Sequence, residues 1–422
     1  MASIRRDGSS SFGEDTKWGL FPAVSVGWRV SQEDFLIDNS VISDLKVRAS
    51  FGQNGKNAAG AYDHLGLVSP TSAIIAGQST TGFYPSQGAN PLLAWQKSTE
   101  INFGFDLGLY KDRIFASFEV YSKQSEDLLL NMPTSIITGY ESAIMNIGQV
   151  DNKGFEIELS SFNVVTDNFS WKSSATFTKN KTTLVDFGGA DSTISTVESK
   201  RPFEFMAIEG ENIVNYWGYE MEKDIDPQYL NNPYYPIGGV AQDAYIVDQN
   251  GDGVIDDRDK KVLGSPDPDF VWSLTNSFTY KNFDLSFTFQ GSHGAEVVNM
   301  DRQYLENLFS SNMDYNSSFT DADMVEQKIF TDYLVQDASY IALRTFNLGY
   351  TLPGSFASKF GLENTRIYIA ANNMFYWWSD EYTSYNPEGN FVNDDMTPLT
   401  VGYQKGSAPL AKTFIVGLSL NF

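Results

Sequence analysis

The sequence predicts an all-β protein, an antiparallel transmembrane β-barrel wall of about 11 strands with long extracellular loops. Three observations predict it. Apolar and polar residues alternate with period two in segments of about ten residues. The connections between these segments alternate strictly between short and long. No apolar run reaches the roughly 18 residues that a membrane helix needs. The first strand is expected at about 18–30 and the second at 44–53, where Leu45, Val47, Ala49 and Phe51 alternate with Lys46, Arg48, Ser50 and Gly52. The third, 96–110, alternates Ile101, Phe103, Phe105, Leu107 and Leu109 with Glu100, Asn102, Gly104, Asp106 and Gly108. Strands follow at about 113–125, 149–163, 169–179 and 270–280. In 283–291, Leu285, Phe287 and Phe289 alternate with Asp284, Ser286, Thr288 and Gln290. After 340–351 and 365–375, the last strand, 412–422, sets Phe414, Val416, Leu418, Leu420 and Phe422 against Thr413, Gly417, Ser419 and Asn421, with Ile415 the exception.

The connections carry as much information as the strands. They span about 13, 42, 2, 23, 5, 90, 2, 48, 13 and 36 residues in order. Short turns on one side and long loops on the other describe an outer-membrane barrel with its periplasmic end at the short turns. Turns such as Lys111-Asp112 and Lys281-Asn282 then lie in the periplasm, residues 1–17 belong to an outer loop, and Phe422 sits at the periplasmic rim. Eleven is odd, and an antiparallel set of eleven closes on itself only through a parallel pair. It suits the carboxy-terminal half of a 22-stranded barrel, a size class with a plugged lumen. Met1–Gly13 has Arg5 and Arg6 with no apolar stretch behind them, so it does not read as a secretory signal, and no plug domain is legible.

Composition narrows the function. With 29 Lys+Arg against 53 Asp+Glu, the net charge of −24 repels phosphate backbones and excludes nucleic-acid binding. Aromatics at 14% together with 34 Gly favour strands and tight turns. The absence of cysteine rules out disulfides, thiolate metal sites and thiol catalysis. His64 and His293 lie in or beside long loops with no triad spacing, and Glu156 with Glu158 reads as lumen lining, so no catalytic residue is assigned.

Several stretches form an ordered set of motifs. They are Arg6-Asp7-Gly8-Ser9-Ser10 with Phe12-Gly13 and Trp18-Gly19-Leu20-Phe21-Pro22, then Gly27-Trp28-Arg29, and Leu45 through Gly52. Asn152-Lys153-Gly154-Phe155-Glu156, Asp248 through Gly253, Tyr280 through Ser286, and Pro409 through Phe422 follow. In this order they resemble the SusC-like outer-membrane nutrient transporters, a branch of the TonB-dependent receptors, and the likeness covers the later part of a full-length member. It implies uptake of oligosaccharides or peptides across the outer membrane of a Gram-negative bacterium, with a SusD-like surface lipoprotein as lid. It also implies energy from the TonB complex acting through a plug that this chain does not contain.

Two groups of loop residues are candidate sites. In the long loop of about 180–269, Asp248, Asn250 and Asp252 occupy positions 1, 3 and 5 of a calcium loop, Gly253 is the turn residue and the Val254 carbonyl is at 7. Asp256 and Asp259 fill positions 9 and 12, where an EF-hand ends in Glu, so a structural Ca2+ is expected that pins the loop. The alternative is an acidic, Gly-rich surface turn without an ion. Tyr216, Trp217 and Tyr219 suit sugar stacking or loop packing, as do Tyr234 and Tyr235. Tyr376, Trp377 and Trp378, just past a strand end, read as the membrane-interface girdle, with Tyr382 and Tyr385 following. A competing expectation is a soluble, calcium-stabilised extracellular module that binds glycans without transport.

Overall fold

A computed structural model describes the chain except residues 134–136, 138, 141, 189–191, 196–203, 222–245, 254, 302–329, 363, 390–399 and 422. Its strands, in chain order, are β1 (Ala2–Gly8), β2 (Trp18–Arg29), β3 (Ile42–Lys56), β4 (Leu67–Ile75), β5 (Gln78–Gly88), β6 (Gln96–Leu109), β7 (Ile114–Glu126) and β8 (Leu129–Pro133). There follow β9 (Ser142–Asn146), β10 (Gln149–Val165), β11 (Phe169–Asp186), β12 (Ser192–Ser195), β13 (Glu204–Ile208), β14 (Asn215–Tyr219), β15 (Lys260–Gly264) and β16 (Phe270–Tyr280). The last are β17 (Phe283–His293), β18 (Glu296–Asn299), β19 (Val335–Asp337), β20 (Tyr340–Thr351), β21 (Asn364–Trp378), β22 (Tyr403–Gln404) and β23 (Thr413–Asn421).

One antiparallel sheet forms the wall, in the order β1-β2-β3-β6-β7-β10-β11-β16-β17-β20-β21-β23. All eleven expected strands are in it. The twelfth, β1, corrects the expectation that residues 1–17 are loop. It pairs with β2 from Ala2↔Val24 to Gly8↔Trp18. Alternation does not show it because Arg5 and Arg6 break the pattern. In the fold, both guanidinium groups lie over aromatic rings, Arg6 at 4.5 Å from the Trp18 centroid and Arg5 at 5.7 Å from that of Phe21.

The twelfth strand also changes the parity argument. Neighbours alternate in direction, so the edge strands β1 and β23 run oppositely, and joining them would respect the antiparallel rule. The sheet is nonetheless open, since β1 and β23 pair only with β2 and β21 among the described residues.

Period two sorts each wall strand onto two faces. One face carries Val26 and Trp28, Ile101 and Phe103, and Val416 and Leu418, all more than half exposed except Phe103. Such a continuous exposed apolar sheet suits lipid and not water. The other face carries paired polar groups. Arg48 lies 2.6 Å from Glu119 and 3.6 Å from Asp106, and Arg366 donates to Asp284. Thr275 and Thr288 hydroxyls meet at 2.9 Å. Glu156 and Glu158 are exposed and lie in β10, Glu156 directly opposite Glu119 of β7, which suits lumen lining.

The long connections are built up by the smaller sheets. β12–β15 form one, β18, β19 and β22 a second, and β4, β5, β8 and β9 a third. Together they place packed structure at the long-loop end, while the opposite end has tight turns. At Tyr110, Lys111 and Asp112 the chain takes positive φ of 53°, 59° and 62°.

Candidate functional site

At the long-loop end of the polar face, a bulge creates a dense polar cluster. Thr288 pairs with Thr345 and Phe289 with Leu343, so Arg344 is an extra residue of β20 with no partner on β17, and β21 shifts register at the same point. A bulge re-aims its extra side chain, here into the polar face. The Arg344 Nε donates to Gln290 Oε1 at 2.7 Å, and Nη1 to Glu388 Oε2 at 2.8 Å. Nη2 donates to the Tyr340 hydroxyl at 3.0 Å and to Glu388 Oε1, and Nη1 also to the Tyr376 hydroxyl. The rings of Tyr340 and Tyr376 flank the guanidinium at 5.5 and 5.3 Å.

Glu388 belongs to the connection between β21 and β23, so this network clamps that connection to the wall. Burial opposes its charge, but the bonds from Arg344 and Tyr340 outweigh it and hold the carboxyl below the usual Glu range. Tyr382 extends the clamp by donating to Gln404 Oε1 at 2.7 Å, while Gln404 Nε2 donates to the carbonyls of Asn386 and Gly389. The arrangement offers hydrogen bonds and aromatic edges to a polar solute and holds no nucleophile–base pair.

The girdle expected at Tyr376–Trp378 is split by the pleat. Trp377 lies on the apolar face beside Phe375 and Phe289, centroids 6.0 and 6.4 Å away, as a girdle residue should. Tyr376 and Trp378 point to the other face, against Arg344 and Tyr382, which corrects the girdle reading for those two. The sequence does carry a signal of the bulge. Apolar residues stand at Ile341 and Leu343 and then at Phe346, Leu348 and Tyr350, a change of phase that straddles Arg344.

Sugar stacking on Tyr216 is likewise corrected. Its ring is 0% exposed in a core with Phe205, Val298, Phe330 and Tyr403, and its hydroxyl donates to the Glu296 carbonyl at 2.8 Å. No ligand reaches a ring face buried on both sides. Tyr219 is buried with Met221 and Ile246, under the Lys260 ammonium at 5.6 Å. Trp217 is half-buried. Tyr234 and Tyr235 lie outside the described residues. His64 contacts the Ser11 carbonyl at 3.2 Å, and His293 stacks on Phe270.

The loop of 248–259 is closed by its own groups. Asp248 accepts from the backbone of Gly251 and Gly253 at 2.7 and 2.8 Å, and Asn250 accepts from Asp252. Asp259 is fully buried and accepts from the backbone of Gln249 and Asp256 at 3.0 and 2.8 Å. Arg258 bridges Asp252 and Asp256 at 2.8 and 2.7 Å, supplying the positive charge at this end of the loop. Among the described residues no three acids converge as a metal cage, and Val254 lies outside them.

Burial raises the carboxyls of Glu296, Asp267 and Asp332 in the loop sheets above their usual range. A group whose pKa is higher folded than unfolded gives stability that is full below the unfolded value and fades as pH rises through the folded one. The loop sheets should therefore be tighter at about pH 4–5, near the unfolded carboxyl values, than at neutral pH. Glu388, shifted the other way, loses its contribution only as pH falls below the usual Glu range. Hydrogen exchange of β13–β15, corrected for intrinsic rate, should slow on mild acidification; faster exchange would contradict this.

The family pattern "TonB dependent receptor-like, beta-barrel" matches residues 1–201. A TonB-dependent receptor of Formosa agariphila is 32% identical over 437 residues, covering 100% of this chain and 43% of that protein. TonB-dependent receptor SusC of Bacteroides thetaiotaomicron is 28% identical over 435 residues, covering 100% and 42%. The RagAB peptide transporter superposes with a TM-score of 0.79 at 23% identity, covering 100% of this chain and 45% of that one, a likeness of fold. The chain spans less than half the length of the relatives it matches, and those relatives carry receptor and transporter names.

Proposed function

We propose that this chain, whose sheet is that of the TonB-dependent receptor β-barrels and whose relatives along its whole length include SusC, is the carboxy-terminal wall of an outer-membrane nutrient importer. The substrate class is oligosaccharides or peptides. The observation that carries the reading is a twelve-stranded sheet with one lipid-suited face and one face of paired polar groups, capped by packed loops at a single end. That exposed apolar face disfavours a soluble glycan-binding module. A SusD-like lipoprotein would cover the loop end, and TonB would act through a plug outside these residues. Trp217 remains the sugar-stacking candidate of the loop sheets. In a strain carrying the full-length gene, disrupting it should abolish growth on either an oligosaccharide pool or a peptide pool; undiminished growth on both contradicts the reading.

One Ca2+ in the 248–259 loop is part of this proposal. Asp248, Asn250, Asp252, Asp256 and Asp259, with the Val254 carbonyl, would supply oxygens at about 2.3–2.6 Å. Arg258 would have to leave Asp252 and Asp256, so calcium and Arg258 compete for the same charges. Chelation should raise protease cutting between about residues 200 and 265 and leave the wall strands intact, and Arg258→Gln should strengthen the calcium response. Identical digests with and without chelator would remove the ion from the account.

A further inference from the structure

The apolar face of the wall is broken by one polar row near its tight-turn end. Along β10, β11 and β16 the rows in register are apolar toward the loops: Ile157 faces Phe177, which faces Trp272, and Leu159 faces Ala175, which faces Leu274. The next row toward the turns is Ser161, Ser173 and Asn276, polar on all three strands. A β-bulge between Phe162 and Val164 adds Asn163 to it. The row is wired end to end. Ser161 donates to Asn163, Asn163 to Ser173, and Ser173 to Asn276, each at 2.7 Å, and Trp171 Nε1 donates to the same Asn276 oxygen at 2.9 Å.

The wiring uses one hydrogen of the exposed Asn163 amide for Ser173 and leaves the other without an acceptor among the described residues. Asn276, 9% exposed, takes two hydrogen bonds on its Oδ1. Beside the row lies a groove of about 380 Å3 between β7 and β10, lined by Arg113, Ile114, Leu159, Ser161 and Asn163. Arg113 makes no ion pair among the described residues and reaches only the carbonyls of Phe162 and Asn163 at 3.4 and 3.5 Å. A guanidinium without a carboxylate is out of keeping with a chain of net charge −24.

We propose that this groove and row bind one phospholipid of the membrane leaflet at the tight-turn end. Its phosphate would sit on Arg113, an ester oxygen would take the free amide hydrogen of Asn163, and an acyl chain would run along Ile114 and Leu159. The chemistry fits each part. A guanidinium and amide donors call for phosphate and ester oxygens, a polar row in hydrocarbon needs such partners, and β10 to β16 span about 10 Å, the width of a lipid head. A second copy of the wall would instead have to present acceptors to this row and an acid to Arg113.

The inference rests on the outer-membrane reading, and its test separates the two. The full-length transporter would be refolded into phosphatidylglycerol bilayers, checked for heat-modifiable gel mobility, and its retained lipids counted by native mass spectrometry. Wild type and Lys111→Gln should keep one phospholipid. Arg113→Gln should hold it about tenfold more weakly, the scale of one charge-assisted contact, and Asn163→Leu should also weaken it. Inorganic phosphate at equal concentration should not displace the lipid. Equal retention by wild type and both site variants, displacement by phosphate, or a dimer lost on Asn163→Leu would overturn the lipid site while the barrel stands. A wild type that never becomes heat-modifiable would overturn the membrane reading and the site with it.

Discussion

Phe287→Arg is expected to destabilise the refolded full-length barrel by about 2–4 kcal/mol, and Thr288→Arg by far less. The two residues are neighbours in β17 but meet different surroundings. Phe287 packs its ring against Phe278 and Phe289 at 6.0 and 5.7 Å and pairs with Phe346. Thr288 pairs with Thr345 and shares a hydrogen bond with Thr275 across the polar face. A guanidinium at the first position must lose its hydration in hydrocarbon, whereas at the second it stays in water. Leu418, more than half exposed on the apolar face, and Ser419, opposite Arg366, should repeat the contrast at the other end of the sheet. Urea unfolding in bilayers measures both; equal costs would reverse the assignment of faces.

Arg344→Leu is expected to release the connection between β21 and β23, at a cost of about 3 kcal/mol. The substitution leaves Glu388 without its bidentate partner and leaves Gln290 and the Tyr340 and Tyr376 hydroxyls short of a donor. Glu388→Gln, which removes the charge but keeps the shape, should cost less. The double variant should cost less than the sum, because each change removes the same pair. Protease cutting at residues 379–389 should rise while exchange in β16 and β17 stays unchanged. Additive costs would show that the clamp is not a unit.

Much of this fold was legible because a lipid-facing wall imposes the simplest pattern in protein sequence. Each of the eleven alternating segments lies in the sheet, and β16 runs from Phe270 to Tyr280 as the alternation requires. What escaped has physical reasons. β1 is held by Arg5 and Arg6 stacking on aromatic rings, so its charges hide a strand. Arg344 sits where the alternation changes phase, a signal of a bulge that is present in the sequence and easily read as noise. Tyr216 and Tyr219 show the limit of reading aromatic loops. Whether a ring is offered to a ligand or buried depends on segments distant in sequence, β18 and β22 for Tyr216 and Ile246 for Tyr219. The 248–259 motif matches a calcium loop in spacing, yet Arg258, one residue before its last ligand position, already answers two of its acids.

The wall divides lipid from water, and these 422 residues bring no cysteine of their own to a labelling test. Single cysteines placed in the full-length protein at each position from Asp284 to Gln290, in intact outer membranes, would be exposed to a membrane-impermeant maleimide. Labelling is expected at 284, 286, 288 and 290 and protection at 285, 287 and 289. Labelling at all seven positions, as in a sheet bathed in water on both faces, would contradict it.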